Sequence, residues 1–370
     1  MLPWRRPSAW LLLLALLAFL SCHHVATARP APAPAAGLHR HPDGGAAWRR
    51  SFKHLQDAGR GSRVAGLAEL KRYLARFGYM HPTAEHDDAF DGHMEAAVKR
   101  YQSRLSLPVT GRLDAATLGR IVSPRCGVGD GGGARVSVSL SYSAAGRFTF
   151  FDGEPRWTGP NQPVVLTYSI SSAATVDYLP AEAVRAAIRG AFARWARVIP
   201  VEFVEAQGHS RHGANITVGF YKGDHGDDDP FDGQGSVFAH AYTYWPKDGW
   251  IHFDAAELWT VDLGRETSRW AVDLETVATH EIGHVLGLDH SSSPAAIMYP
   301  YINFGERKVE LSVDDIDGVQ LLYGSRHEQD APAPPQSSDP SLSAGRRSSG
   351  WLSGSVSFAC MVLVMLVTHR

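Results

Sequence analysis

The chain has little cysteine, no excess of charge and no apolar run long enough for an ordinary membrane-spanning helix. Three cysteines in 370 residues are too few for a scaffold held together by disulfides. The formal net charge of −2 balances 36 basic against 38 acidic residues, which argues against a nucleic-acid partner. The apolar runs near the two ends fall short of the ~20 residues that a transmembrane helix needs. The composition indicates a globular protein with room for two compact domains.

The first residues have the layout of a secretory signal peptide. Paired arginines precede the apolar run Trp10–Leu20, and a small-x-small cleavage site ends at Ala28. We expect residues 1–28, which include Cys22, to be removed on export. Residues 29–47 are rich in Pro, Ala and Gly and are predicted to form a flexible leader.

The last residues have the layout of a GPI-anchor signal. Residues 325–345 are rich in Pro and Ser and are predicted to be a disordered linker. Small residues, a polar spacer and an apolar tail of about twelve residues follow. We expect residues 346–370, which include Cys360, to be removed and the lipid to be attached at Ser343 or Ser348. The lipid would lie in the outer leaflet of the plasma membrane; a short transmembrane anchor stays open.

Processing at both ends would leave a single cysteine, Cys126, in the segment "SPRCGVGDGGG". A lone thiol cannot form an internal disulfide, and in an oxidising compartment it needs another role.

Residues 48–123 show helical periodicity. Leu67, Leu70 and Leu74 recur at three- and four-residue steps, and Asp114 is placed to cap a last short helix. By periodicity alone this is a helical bundle. Its end, "AAVKRYQSRLSLPVTGRLDAATLGRIV", resembles a small three-helix peptidoglycan-binding-like module.

Residues 154–324 mix strand-like and helical patterns and predict an α/β domain. Strand-like segments lie at 163–171, 201–206, 215–221, 236–243 and 250–255. Helical patterns lie at 180–199 with Pro180 in the first turn, at about 273–287, and at Val313–Leu322 with Ser312 as N-cap.

The segment "THEIGHVLGLDH" predicts a catalytic zinc site. His280 and His284 lie one turn apart on the same face of a helix, so both imidazoles reach one ion. Gly287 can turn the chain back so that His290 becomes the third ligand. Three neutral nitrogens leave a fourth position open, and Glu281 is placed to act on a bound water.

The motifs together resemble those of the matrixins, or matrix metalloproteinases, over about Trp48–Gly324. The extended zinc motif followed by "AIMYP", with Met298 in a turn beneath the metal, is similar to the metzincin proteases. The segment "PRCGVGD" narrows the resemblance to matrixins and disfavours another metzincin branch. The predicted catalytic domain is followed by an anchor signal rather than by a propeller-like (hemopexin) domain, and in this combination the chain resembles the plant-type members. The resemblance implies a twisted mixed five-stranded sheet with three helices, preceded by a small three-helix propeptide domain.

The resemblance also gives the lone thiol a role. Cys126 would ligate the catalytic zinc in the latent form and exclude water, while Arg125 and Asp130 would pair to stabilise the loop. Residues 124–153 would then be the cysteine-switch loop and activation region. We expect the mature N-terminus between Ser141 and Phe151, with its new amine on Asp314 or Asp315.

The resemblance implies a structural zinc, a calcium ion and a substrate cleft. The zinc would be held by His225, Asp227, His240 and His252, and the calcium by Asp232, Gly233, Gly235, Val237, Asp254 and Glu257. A second calcium is in doubt, because Asn215 and Trp250 stand where aspartates are usual. Asn215 also begins the sequon Asn-Ile-Thr, a possible glycosylation site. Specificity would come from Thr276, Val277 and Pro300–Lys308, and the oxyanion would meet a backbone group near Ala239.

These expectations describe a secreted zymogen of a zinc endopeptidase that cleaves extracellular proteins or peptides. A cell-surface or wall-binding protein that uses the helical module is the alternative. The intact His280, Glu281, His284, His290 and Cys126 argue against it, since a pure binder needs neither a base nor a lid.

Overall fold

The computed structural model describes residues 52–81, 84, 86–131, 147–159, 163–206 and 213–326. The predicted signal peptide, leader and anchor signal and nearly all of the predicted linker lie outside these residues. Among the described residues, no helix is long and apolar enough to cross a membrane.

Three helices form an N-terminal module, defined here as the described residues of 52–131. They are α1 (Leu67–Arg76), α2 (Gly92–Arg104) and α3 (Ala115–Ile121). The Asp91 and Asp114 carboxylates accept hydrogen bonds from the amides of Met94 and Thr117, so each aspartate caps the helix that follows it. The apolar faces meet in a core that also takes in Tyr299 and Tyr301 from the C-terminal half of the chain. The module is therefore packed onto the second domain.

A mixed five-stranded sheet forms the second domain. Its strands are β2 (Val164–Ile170), β3 (Val201–Glu205), β4 (Ile216–Tyr221), β5 (Ala239–Tyr244) and β6 (Asp248–Asp254), in the order β3-β2-β4-β6-β5. All neighbours are parallel except β5, which pairs with β6 antiparallel and lies at the edge. An edge strand is where an extended peptide can add by main-chain hydrogen bonds.

Three helices accompany the sheet: α4 (Ala181–Ala196), α5 (Leu274–Val285) and α6 (Val313–Tyr323). Pro180 is the N-cap of α4 rather than a residue of its first turn, and Ser312 caps α6 in a capping box with Asp315. Four two-residue strands complete the domain: β1 (Thr149–Phe150), β7 (Trp259–Thr260), β8 (Val272–Asp273) and β9 (Leu288–Asp289). The predicted sheet, its three helices and the three preceding helices are confirmed.

Candidate metal centres and substrate cleft

Three buried histidines converge where α5 ends. The Nε2 atom of His284 lies 3.1 Å from Nε2 of His280 and 3.2 Å from Nε2 of His290. Burial lowers the pKa of His280 and His284 well below the ordinary value and that of His290 to about 4. Three neutral imidazoles with nitrogens at one point form a donor set that fits zinc.

The second nitrogen of each ring has its own partner, which fixes how the ring faces. Nδ1 lies 2.7 Å from the Ile297 carbonyl in His280 and 2.8 Å from the Leu288 carbonyl in His284. In His290 it lies 2.8 Å from Oδ1 of Asp130, in the N-terminal module, at ion-pair distance but with the ring N–H out of line for an ordinary hydrogen bond. The carbonyl partners leave Nε2 of His280 and of His284 unprotonated and available to a metal.

Backbone turns position the third histidine of the cluster and the segment that contains Met298. Gly287 has φ 106°, which reverses the chain after α5, and a Cβ there would collide with the Pro155 carbonyl. Asp315 accepts hydrogen bonds from the amides of Ile297 and Met298 at 2.8 and 3.0 Å. It therefore stabilises the methionine turn, a role that the sequence pattern did not reveal.

Cys126 is the fourth donor at this cluster. Its Sγ lies 3.5 Å from Nε2 of His284, from which it is separated by 158 residues of chain. The ligand atoms of Cys126, His280, His284 and His290 all lie within 4.8 Å of one another, and all four residues are buried. Burial and the Glu281 charge raise the pKa of the thiol well above its ordinary value. A cation at the three imidazoles would be needed to favour the thiolate.

The segment that carries Cys126 lies between two chain segments of the second domain and is bonded to both. Cys126 N donates to the Pro300 carbonyl at 2.9 Å on one side, and Gly127 N donates to the Ala239 carbonyl at 2.7 Å on the other. A Cβ at Gly127 would lie 2.8 Å from Cγ1 of Val237 and 3.2 Å from the Ala239 oxygen. Only glycine fits at this distance from β5.

Arg125 and Asp130 form the predicted pair. The guanidinium donates to Oδ1 at 2.5 Å and to Oδ2 at 2.9 Å, and both side chains are almost fully buried. Tyr79 donates a third hydrogen bond to Oδ2 at 2.7 Å. Burial opposes ionisation of Asp130, but the Arg125 charge and His290 outweigh it and hold the pKa of this carboxyl well below its ordinary range.

Glu281 lies beside the cluster with its carboxylate unused. Within the described part of the chain, neither carboxylate oxygen has a hydrogen-bond partner of ordinary geometry, although the side chain is fully buried. Burial raises its pKa to about 8, against a smaller lowering by the Cys126 thiol. A carboxyl in this state is suited to exchange a proton near neutral pH.

A second histidine cluster lies beside β5 and β6. Oδ2 of Asp227 lies 2.8 Å from each of three nitrogens: Nε2 of His225, Nε2 of His240 and Nδ1 of His252. Burial opposes ionisation of Asp227, but His240 and other contacts outweigh it and lower the pKa of this carboxyl to about 2. Burial lowers the pKa of His252 to about 4. Four donors around one point and no open position fit a structural zinc.

The residues predicted to bind calcium lie nearby and include buried carboxylate oxygens. Oδ2 of Asp254 and Oε2 of Glu257 are buried without a hydrogen-bond partner among the described residues. Burial raises the pKa of Asp232, that of Asp254 to about 6 and that of Glu257 well above its ordinary value. Gly233 and Gly235, in the loop that follows Asp232, have φ 85° and 103°. Unpaired carboxylates with loop carbonyls fit a hard divalent cation.

The doubtful second calcium position holds other contacts. The Asn215 side-chain oxygen accepts hydrogen bonds from the amide and hydroxyl of Thr167, at 2.8 and 3.0 Å. Trp250 stacks on Tyr242 with ring centroids 5.2 Å apart. Neither side chain offers a carboxylate there.

A cavity of about 130 Å³ opens beside His280 and fits the expected specificity pocket. Its lining includes Thr276, Ile297, Tyr299 and Lys308. Val277, expected in the same wall, is fully buried in the core of the second domain. An apolar residue one position along a helix points to a different face, which the sequence pattern did not resolve.

Of the two aspartates considered for the new N-terminus, only Asp314 is bonded to the described part of the activation region. Its carboxylate accepts hydrogen bonds from the amides of Arg147 and Phe148, the latter at 3.1 Å, and from Ser291 Oγ at 2.6 Å. Asp315 is occupied with the methionine turn and the α6 cap.

Comparisons with known proteins agree with this geometry. A family described as matrixin matches residues 156–324, and one described as a peptidoglycan binding domain matches residues 63–121. The chain is 43% identical over 319 residues to Metalloendoproteinase 1-MMP of Arabidopsis thaliana, covering 85% of this chain and 84% of that protein. It is 42% identical over 268 residues to Metalloendoproteinase 1 of Glycine max, covering 71% and 84%. It is 40% identical over 241 residues to interstitial collagenase of Sus scrofa, covering 65% and 45%.

Proposed function

The chain belongs to the matrixin family of zinc metalloendopeptidases, and from that premise we propose that it is a secreted zymogen kept latent by Cys126. As a matrixin it uses catalytic and structural zinc together with calcium. The observation that carries the proposal is Cys126 Sγ at the open side of the three-histidine cluster, 3.5 Å from His284. We assign the catalytic zinc to His280, His284 and His290.

Each residue of the active site has one chemical role in this proposal. His280, His284 and His290 would hold the zinc ion, which would supply Lewis-acid polarisation of the scissile carbonyl and of a water molecule. Glu281 would accept a proton from the attacking water and then deliver it to the leaving amine. A backbone group near Ala239 would stabilise the oxyanion.

Latency follows from the way the loop fills the cleft. The chain at Arg125 pairs parallel to Val237 on one side and antiparallel to Tyr301 on the other. The loop thus occupies the β5 edge, where an extended substrate would add. Release of the loop would free both the fourth zinc position and this edge.

Activation would end with a cut before Phe148, within the predicted 141–151 window. The amide of Phe148 already lies 3.1 Å from Oδ1 of Asp314, so a new ammonium there would form an ion pair without rearrangement. N-terminal sequencing of the self-activated enzyme tests this position.

The substrate would be an extended protein or peptide segment with a large apolar residue after the cut bond. The modest Thr276 side chain in the cavity wall, 2% exposed, leaves depth for such a residue. Cleavage of a peptide library that varies this position tests the preference.

Secretion and the lipid anchor rest on residues outside the described part of the chain. The paired arginines and apolar run near the start, and the small residues and apolar tail near the end, support an exported, GPI-anchored protein. Release of the protein from plant cells by a phosphatidylinositol-specific phospholipase would support the lipid anchor; retention would favour the short transmembrane span.

The decisive experiment measures cleavage by residues 29–345 with and without a thiol-reactive mercurial and a zinc chelator. We expect activity to appear on thiol modification and to vanish on chelation. No activity under any condition, in a folded and zinc-loaded protein, would contradict the proposal.

The match of residues 63–121 to a peptidoglycan binding domain supports one other function, binding to the cell wall. A Glu281→Ala variant separates the two functions. Loss of peptidase activity with unchanged wall attachment would show that attachment does not depend on catalysis.

A further inference from the structure

Two residues of the N-terminal module contact His290 without being ligand candidates. Oδ1 of Asp130 lies 2.8 Å from Nδ1 of His290, an ion-pair contact in which the ring N–H is not in line with the oxygen. Arg104, at the end of α2, donates a hydrogen bond of 2.6 Å to the His290 carbonyl and one of 2.9 Å to Thr149 Oγ1. The ring and the backbone of this histidine are therefore both held by the module.

The other two histidines of the cluster do not depend on the module in this way. Their Nδ1 atoms face the carbonyls of Ile297 and Leu288, which both belong to the second domain. Removal of the module would leave those two contacts in place. Of the three imidazoles, only His290 would lose the partner of its second nitrogen.

Hydrogen bonds to both oxygens hold the Asp130 carboxylate in one orientation. Arg125 bonds to both of its oxygens and Tyr79 to one, and the side chain is fully buried. A carboxylate that accepts from the second nitrogen of a ligating histidine orients the ring and raises its basicity. Loss of such a partner typically lowers metal affinity about 10- to 100-fold.

We propose that Asp130 is a positioning residue for the catalytic zinc. It orients His290, so the intact zymogen retains zinc more tightly than the same ligands would without the Asp130 contact. Arg104 contributes by fixing the His290 backbone. Zinc would then be loaded while the module is in place, and activation would remove one ligand and the support of another. The inference rests on the proposed assignment of His280, His284 and His290 as zinc ligands.

The test compares Asp130→Asn with Arg125→Gln in the full chain carrying Glu281→Ala, which prevents self-cleavage. Both variants break the same buried ion pair, but only Asp130→Asn removes the carboxylate beside His290. Arg125→Gln also loses contacts to the carbonyls of Cys126 and Val128, so it disturbs the loop at least as much. It is therefore a strict control for loosening of the loop.

The first measurement is the rate of zinc transfer to a chromogenic chelator. We expect transfer about 10- to 100-fold faster from Asp130→Asn than from the parent, and a clearly smaller change in Arg125→Gln. Equal rates in the two variants would overturn the proposal, because loop attachment alone would then explain them. A parent that holds zinc only at the second histidine cluster would instead refute the ligand assignment, and the inference with it.

The second measurement is the Nδ1 proton of His290 in the histidine-labelled protein by nuclear magnetic resonance. A carboxylate partner should shift this proton downfield, and the shift should disappear in Asp130→Asn but persist in Arg125→Gln. A resonance that is the same in all three proteins would contradict the proposal. The chemical shift of this proton depends on the contact between Asp130 and the imidazole. A purely structural role of Asp130 would leave the shift unchanged.

Arg104→Gln keeps the test open if Asp130→Asn does not fold. It removes the bond to the His290 carbonyl and leaves the buried Arg125–Asp130 pair intact. We expect zinc transfer about 3- to 10-fold faster than from the parent, the effect of one hydrogen bond of ordinary net strength. An unchanged rate would show that the module does not support this ligand.

Discussion

Each of the two histidine clusters supplies three imidazoles, but the clusters differ in where the fourth donor comes from. At the second cluster, Asp227 lies two residues from His225 in one loop of the same domain. At the first, Cys126 reaches His284 across 158 residues, from a module that packs on the domain from outside. A donor from the same loop remains at the site as long as the domain is folded. A donor from a separate module can be removed, which turns a closed metal site into an open one.

The clusters also differ in what lies beside them. Glu281 is buried next to the first cluster with both carboxylate oxygens lacking partners among the described residues. At the second cluster, Asp227 points its Oδ2 at the three nitrogens and Asp229 lies 3.5 Å from Nδ1 of His240. One site contains a base without a structural task, and the other uses its carboxylates as donors. This difference separates a catalytic from a structural site.

Replacement of the base gives the largest expected effect. After thiol modification, Glu281→Ala should lower kcat/KM about 10²- to 10⁴-fold, because proton transfer to and from the water is lost. Zinc content should stay at two ions, and Glu182→Ala on the exposed start of α4 should leave the rate unchanged. Activity within tenfold of the parent would remove Glu281 from the mechanism.

Removal of the fourth donor at each cluster tests the comparison directly. Cys126→Ser should keep its zinc and cleave without a mercurial, at about the rate of the thiol-modified parent, because the fourth position becomes available to water. Asp227→Ser should lose the zinc of the second cluster and at least ~2 kcal/mol of unfolding free energy, the usual consequence of a broken structural metal site. Activity assays, metal analysis and thermal unfolding distinguish the two. The comparison fails if both variants behave alike.

A smaller change at the removable donor should weaken latency without abolishing it. Gly127→Ala places a methyl group 2.8 Å from Val237 Cγ1, which should disfavour the docked loop by about 1–3 kcal/mol. Spontaneous activity should rise about 5- to 150-fold while the thiol-modified rate stays unchanged. Gly119→Ala, where a Cβ has open space, is the matched control. Latency equal to the parent in Gly127→Ala would show that the loop docks loosely.

Removal of calcium should lower thermal stability more at pH 8 than at pH 5. Burial raises the pKa of Asp254 to about 6 and that of Glu257 well above its ordinary value. A carboxyl with a raised folded-state pKa binds its proton more tightly when folded, so without calcium the fold loses stability as pH rises from ~4 through ~6. Calcium compensates the ionised carboxylates only above that range. Unfolding temperatures with calcium or with a calcium chelator, at both pH values, check this; a loss that is larger at pH 5 would contradict it.

The sequence predicted the elements whose signals are local. Apolar periodicity with Asp114 and Ser312 as caps located α3 and α6, and alternating apolar residues located the five sheet strands. The two-residue strands were missed, because so short a segment has no period and forms only through its pairing partner. Val277 was assigned to the pocket wall, because sequence spacing gives the helix face but not what packs against it.

Residue types at fixed spacing gave the catalytic metal site, whereas the structural zinc and the calcium site were expected only from the family resemblance. An i, i+4 pair of histidines lies on one helix face wherever the helix is, so the first two donors follow from geometry of the helix alone. The choice between Asp314 and Asp315 could not be made this way, since adjacent aspartates differ only in what the fold brings to them. The same holds for the contacts of Asp130 and Arg104 with His290.

The sequence by itself determined the chemistry of this protein: three histidines, a glutamate and a cysteine in spacings that a metal-dependent hydrolase needs. Only the tertiary structure decided which groups meet across the chain. Cys126 lies at the cluster, Asp130 at His290, Arg104 at its carbonyl and Asp314 at Phe148. Local spacing is fixed by backbone geometry, whereas these contacts form only when the module packs onto the second domain and buries them together.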